Sequence, residues 1–197
     1  MADIEDFPVP PMTALAGDVA TKISDVAERI RAGGAPWPQV NRLTAEVYRL
    51  SSFDQQLIED VIAHEAPYPK TLAAGLEEVP RNGAAVQAFV QVLASTLAEL
   101  DELSLSVSPH AVSNDDGPWQ FLRMGVDLQR SPDPALVQRL LKLASEPLQA
   151  SEIRLQLGDQ DWLIGRIRHA RYWTRSQARL LALDLVDDGL LARPFTH

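Results

Sequence analysis

Apolar side chains recur along this chain at steps of three and four up to residue 100, and beyond it at every second position over two stretches. The first spacing is that of a helix with one buried face, the second that of a half-buried strand. From Thr13 to Arg31 the stripe is Leu15, Val19, Ile23, Val26 and Ile30, which predicts an amphipathic helix stopped by Gly33-Gly34. Ala35-Pro36-Trp37-Pro38 reads as a rigid connector, with Trp37 pinning it to the core. Val40, Leu43, Val47 and Leu50, joined by Tyr48, predict a second helix over Gln39–Arg49 with Tyr48 as a structural anchor. Ser51-Ser52 supplies an N-cap for a third, Phe53–His64, with Leu57, Ile58, Val61 and Ile62 expected to face inward. So short a link makes the two an αα-hairpin.

Residues 66–83 hold three prolines and two glycines and read as a loop-rich joint. Ala84–Leu100 then carries the broadest apolar face of the chain, from Val86 to Leu100, and predicts a strong helix. After it Leu103, Leu105 and Val107 alternate with polar residues, the turn residues Ser113–Pro118 follow, and Trp119–Leu128 returns as a second strand. Pro134 opens a helix to Ser145. Ile153, Leu155 and Leu157 alternate, Gly158-Asp159 turns, and Trp162–Arg168 pairs back; Thr174 caps a closing helix Ser176–Asp187, ended by Gly189. The expected class is α+β: a helical N-terminal part, then a four-stranded, mainly antiparallel sheet of two hairpins, with the helices at 84–100, 134–145 and 176–187 covering one face. The expected division is a flexible lead-in over 1–11, a helical part over 12–83 and an α+β domain over 84–197.

Charge changes this picture. The 197 residues carry a net charge of −9, all of it in residues 1–103, whereas residues 104–197 balance to zero. Such a chain repels a polyanion in bulk, which argues against nonspecific DNA binding. The helix Phe53–His64 bears Asp54, Glu59 and Asp60 and no arginine, so a helix-turn-helix reading of the hairpin fails on charge. Against that background, Arg166, Arg168, Arg171, Arg175 and Arg179 follow one another with no acid between Trp162 and Arg179. Two readings stay open: a solvated edge paired with the acidic half of the molecule, or a contact site for phosphate or a partner's carboxylates. The candidate contact residues are Arg166, Arg168, Arg175 and Arg179, with Arg171, Tyr172 and Trp173 as structural anchors.

Candidate catalytic chemistry is sparse. His64, His110, His169 and His197 lack metal-ligand spacing, and no phosphate-binding glycine loop or GxSxG motif occurs. The acid pairs Glu77-Glu78, Asp115-Asp116 and Asp187-Asp188 fall in expected turns and helix ends, and Lys22, Lys70 and Lys142 are not placed as a nuclease would need. No catalytic residue, cofactor or metal is expected. The chain has no cysteine and no apolar run long enough to span a membrane, and MADIEDFPVPP is too acidic for a targeting peptide, so a cytoplasmic protein is expected.

Three stretches, in order, resemble one family. Val40–Ser51 (VNRLTAEVYRLS), Leu57–Ile62 (LIEDVI) with Ala66–Pro69 (APYP), and Arg171–Ala178 (RYWTRSQA) are similar to segments in the C-terminal accessory region of N6-adenine DNA methyltransferases from restriction and anti-phage defence systems. The likeness spans about residues 39–187, and the last string is the most specific, with two adjacent aromatics between arginines. The family's glycine-rich methyl-donor loop and Asn-Pro-Pro-Tyr motif are missing, and Leu181-Ala182-Leu183 stands where its Asp-Ala-Asp run is usual. The resemblance therefore implies a stand-alone, non-catalytic adaptor that docks on a larger DNA-modification, helicase or nuclease subunit, or weakly on DNA held by one. The alternatives are a small DNA-processing enzyme with an unrecognised site and an acidic DNA-mimic inhibitor.

Overall fold

A computed structural model describes residues 11, 15, 17–34, 37–66, 68–100, 105–112, 117–129, 133–145, 151–158 and 161–187. Most of the lead-in, the turn at 113–116, Leu103 and Gly189 lie outside them. The elements are α1 (Gly17–Arg31), α2 (Trp37–Val47), α3 (Ser52–His64), α4 (Pro69–Leu76), α5 (Ala84–Leu100), β1 (Ser106–His110), β2 (Trp119–Gly125), α6 (Pro134–Ser145), β3 (Glu152–Gly158), β4 (Asp161–Ile167) and α7 (Arg175–Asp187). The fold is α+β. Two compact units divide inside α3, between Leu57 and Ile58.

In the first unit, α1 and α2 pack antiparallel, their polar rims joined by Lys22–Glu46 at 3.1 Å and Arg29–Gln39 at 2.5 Å. Val19, Leu43 and Ala45 are buried, and a groove of about 260 Å³ runs along Ile23, Val26, Ile30, Val40, Val47 and Tyr48. Tyr48 is half-buried there. Arg49 closes α2 with φ +52°, the left-handed conformation in which a Cβ is unfavourable. Trp37 does not pin the connector: its ring is 60% exposed. Ser51 and Asp54 form a reciprocal cap at the start of α3, the Asp54 amide donating to Ser51 Oγ (3.1 Å) and the Ser51 amide to Asp54 Oδ2 (2.9 Å).

The second unit is built on the sheet, in the order β1-β2-β4-β3 with every neighbour antiparallel. Both hairpins are present, and their inner strands β2 and β4 pair from Trp119↔Ile167 to Gly125↔Asp161. Central strands bury both faces and so need cover on both. Leu122, Met124, Trp162 and Ile164 pack against α5 and α7, while Trp119, Phe121 and Leu163 form a second cluster with Ile153 and Leu140 of α6. This corrects the expectation that all three helices share one face; α6 lies on the other side. The first strand begins at Ser106, with Leu105 just outside it, and Pro109 is tolerated in it because β1 is an edge strand.

The stretch read as a loop contains α4. Pro69 occupies its first turn, where the missing N–H leaves no helical bond unmade. Gly75 lies so close to the His64 carbonyl oxygen that an added Cβ would sit 2.0 Å from it. Glu78 then bridges to His169, with the Val79 amide donating to the Arg168 carbonyl (2.8 Å) and the Ala170 amide to that of Glu77 (2.8 Å). These bonds group residues 58–83 with the sheet, whereas the sequence pattern groups them with the N-terminal helices.

Candidate contact surface

The RYWTRSQA string forms the joint between β4 and α7. A single 3-10 turn, Ala170–Tyr172, reverses the chain, and Thr174 caps α7 by accepting the Gln177 amide at 3.2 Å. Trp173 is 3% exposed; its Nε1 donates to the Ile167 carbonyl at 2.9 Å and its ring packs 5.0 Å from that of Phe89. Arg171 and Tyr172 are half-buried and stack on each other, the guanidinium 4.7 Å from the ring centre. On the same ring, His169 stacks at 6.2 Å. Asp60 of α3 adds a distant cap, accepting the Ser176 amide at 3.0 Å.

The arginines separate by address. Arg166 is no surface contact: it is 6% exposed, on the α5/α7 side of a central strand, and lies 5.1 Å over the Phe89 ring. Its guanidinium pairs with Glu152 of β3 at 2.9 Å and donates to the Tyr172 carbonyl (3.0 Å) and Gln177 Oε1 (3.3 Å). Burial pulls its pKa below the ordinary value, and the Glu152 charge opposes that. Gln177 passes the chain on to Glu65 at 3.4 Å, so the network joins β3, β4, α7 and α3. Arg168 is also largely engaged within the unit, pairing with Glu78 and donating to the Val79 (3.3 Å) and Gly117 (3.4 Å) carbonyls. Arg179 is half-buried on α7. Arg175 alone of the four is exposed, and it has no partner among the described residues. The arrangement thus leaves one free guanidinium at the start of α7, able to take a phosphate or carboxylate through two parallel N–H donors.

A further ion pair escaped the sequence reading. Arg123, in the middle of β2, is 3% exposed and holds Asp161 of β4 in a fork of 2.7 and 3.1 Å, with a third bond to the Leu128 carbonyl at 3.1 Å. The Asp161 carboxylate pushes the Arg123 pKa up. The signal was present: a charge inside a run of buried strand residues requires a partner. Among the described residues no group of three or more His, Asp and Glu could hold a metal ion, and no helix is long and apolar enough to cross a membrane. Comparison with protein-family models, curated proteins and solved structures yields no match to this chain.

Proposed function

We propose that this chain is a non-catalytic accessory component of a bacterial restriction-modification or anti-phage defence system, docking on a larger DNA-modification, helicase or nuclease subunit or on DNA that such a subunit holds. The observation that carries the reading is the RYWTRSQA string, with its resemblance to the accessory region of N6-adenine DNA methyltransferases. Its local structure supports the same reading. Trp173 and the Arg171–Tyr172 stack are fastened into the joint, so Arg175 is presented on a fixed backbone instead of a loose one. A partner's carboxylates, or a phosphate brought by the partner, complement it; free DNA is repelled by the net charge of −9.

The test is co-expression with any DNA-processing subunit encoded beside its gene. Arg175→Glu should abolish co-purification while the melting temperature shifts by no more than about 2–4 °C, since exposed charges contribute roughly 0–1 kcal/mol. Arg179→Gln, made separately, weakens capture less. Any weak, salt-sensitive DNA binding is lost with Arg175, the salt slope falling by about one for a lost phosphate contact. Retained co-purification by Arg175→Glu at parental stability overturns the site. Saturable micromolar binding of S-adenosylmethionine by the purified chain overturns the non-catalytic reading.

A further inference from the structure

We propose that the outward face of the second half of α3 and of α4 is a docking site for a basic amphipathic helix of a partner protein. The inference rests on the accessory reading above and deepens it by naming the surface that holds the partner.

The carrying observation is an inversion of polarity. From Ile58 onward, α3 turns polar groups toward its own unit: Asp60 accepts the Ser176 amide, Glu65 accepts from Gln177, and the His64 carbonyl presses on Gly75. Its apolar side chains point away, with Ile58, Val61 and Ile62 exposed by 45%, 37% and 61%, and no residue of the helix is buried. In α4 only Gly75 is buried, while Leu72 and Leu76, four apart on one stripe, are 43% and 49% exposed, and Tyr68, the extended residue just before the helix, is 68% exposed. Six of the twelve large apolar side chains exposed among the described residues therefore fall between Ile58 and Leu76. Scattered singly they would be ordinary surface; concentrated on two consecutive helices they mark an interaction face.

Charge selects the occupant. Of the five acids in residues 58–78, Asp60, Glu65 and Glu78 are engaged within the unit, and Glu59 and Glu77 are exposed beside the apolar positions, against a single base, Lys70. A second copy would set this acidic rim against itself, and like charges facing each other oppose association. A helix with apolar anchors at steps of three and four and lysines or arginines along its flanks satisfies both the stripe and the rim.

The experiment uses the full chain and two fluorescent peptides of about five helical turns, one built of leucine and lysine, the other of leucine and glutamate at the same positions. The basic peptide should bind saturably and more weakly as salt rises, and the acidic one should not. Ile62→Ser/Leu72→Ser, which keeps every charge, should weaken binding at least about tenfold. Isotope-labelled parent protein should show shifts centred on Ile58, Ile62, Leu72 and Leu76, a readout that needs no variant to fold. No binding of the basic peptide, equal binding of the acidic one, or unchanged binding by the serine variant overturns the proposal. So does a concentration-dependent dimer that the serine pair dissolves, which would put a second copy on this face. Failure of the two ideas can be told apart. A serine variant that still captures the neighbouring subunit removes this face and leaves the accessory reading; peptide binding by a parent chain that captures no such subunit does the reverse.

Discussion

Gly165 sits at the centre of β4, paired with Phe121 of β2 on one side and Ile153 of β3 on the other. A Cβ added there would lie 2.5 and 2.9 Å from two atoms of the Phe121 ring and 2.9 Å from Ile153 Cγ1. Ordinary carbon contacts are about 3.5–4.0 Å, so the ring must move by roughly an ångström. It has little room to do so, since Phe121 is wholly buried and Ile153 is a stiff β-branched residue, 9% exposed. Overpacking of this kind costs about 1–3 kcal/mol, against about 0.5–1 kcal/mol gained by replacing a strand glycine with alanine. The steric cost wins, and Gly165→Ala should lose about 1–2 kcal/mol. Phe121→Leu alone also loses stability, by less than the roughly 3–5 kcal/mol of truncation to alanine, because it leaves a gap over Gly165. The two changes should compensate, the new methyl entering the space the ring vacates. Urea unfolding followed by tryptophan fluorescence, at unchanged m-value, gives the cycle directly. The coupling should favour the double variant by about 1 kcal/mol or more. If Gly165→Ala equals or exceeds the parent in stability, or if the cycle is additive, the ring is not seated on Gly165 and the packing of the α6 side must be redrawn.

Trp173→Ala should cost about 3–5 kcal/mol, and Trp173→Phe about 1–2, since the ring is kept but the Ile167 carbonyl loses its donor; a melting temperature within a degree or two of parent for the alanine variant would move the ring to the surface. Glu152→Ala strands the Arg166 guanidinium inside the unit and should cost about 3–5 kcal/mol by denaturant titration, while Arg154, which pairs with the same Glu152 at 2.6 Å and reaches Asp184 at 3.6 Å, can be changed to alanine for less. Asp54 is held below the ordinary carboxylate value by its hydrogen bonds from Ser51, so its contribution to the α3 cap is full above about pH 4 and is lost as pH falls through the depressed folded value. NMR titration should show the Asp54 pKa rising toward its ordinary value in Ser51→Ala, and an unmoved titration would refute the reciprocal cap.

How much of this was legible follows from what a local pattern can carry. The 3.6 period located α1, α2, α3 and α5, the start and cap residues Pro134 and Thr174 located α6 and α7, and the alternation around Ile153–Leu157 and Trp162–Arg168 located the second hairpin, because all these signals lie within a few residues. It does not say which side of a stripe is occupied: Ile58, Val61 and Ile62 form a regular stripe, yet they face solvent. Nor does it reveal sheet order. With β4 taken as an edge, Arg166 and Arg168 read as surface charge; once β2 pairs with β4, Arg166 is enclosed and must be matched by Glu152. Asp60 as a cap for α7, 116 residues away, has no local trace at all. α4 was hidden by composition, since Pro69 and Gly75 are punctuation in most contexts, but here one starts a helix and the other lets it touch α3.

The arginine segment thus divides into an engaged part and an exposed part that its composition alone could not separate. Arg166 and Arg168 tie β4 to β3, to α7 and to the 77–79 segment, and changing either would disturb the joint before it disturbed any partner. Arg175 stands one residue before Ser176, whose amide Asp60 holds. The exposed guanidinium and the apolar, acid-flanked side of α3 are therefore carried on one hydrogen-bonded joint, opposite in charge. A partner using both must offer acid to the one and base to the other, a pairing that sets orientation as well as affinity. Asp60→Asn makes this testable. It removes the charge of the distant cap while keeping the side chain's shape and an acceptor oxygen, so peptide binding on α3–α4 should change little. If α3 and α7 act as one rigid carrier, capture of the neighbouring subunit should fall in Asp60→Ala, which removes the cap altogether, although neither Arg175 nor any apolar contact has been touched. Undiminished capture by Asp60→Ala, with the helices intact by circular dichroism, would mean that the two patches work independently.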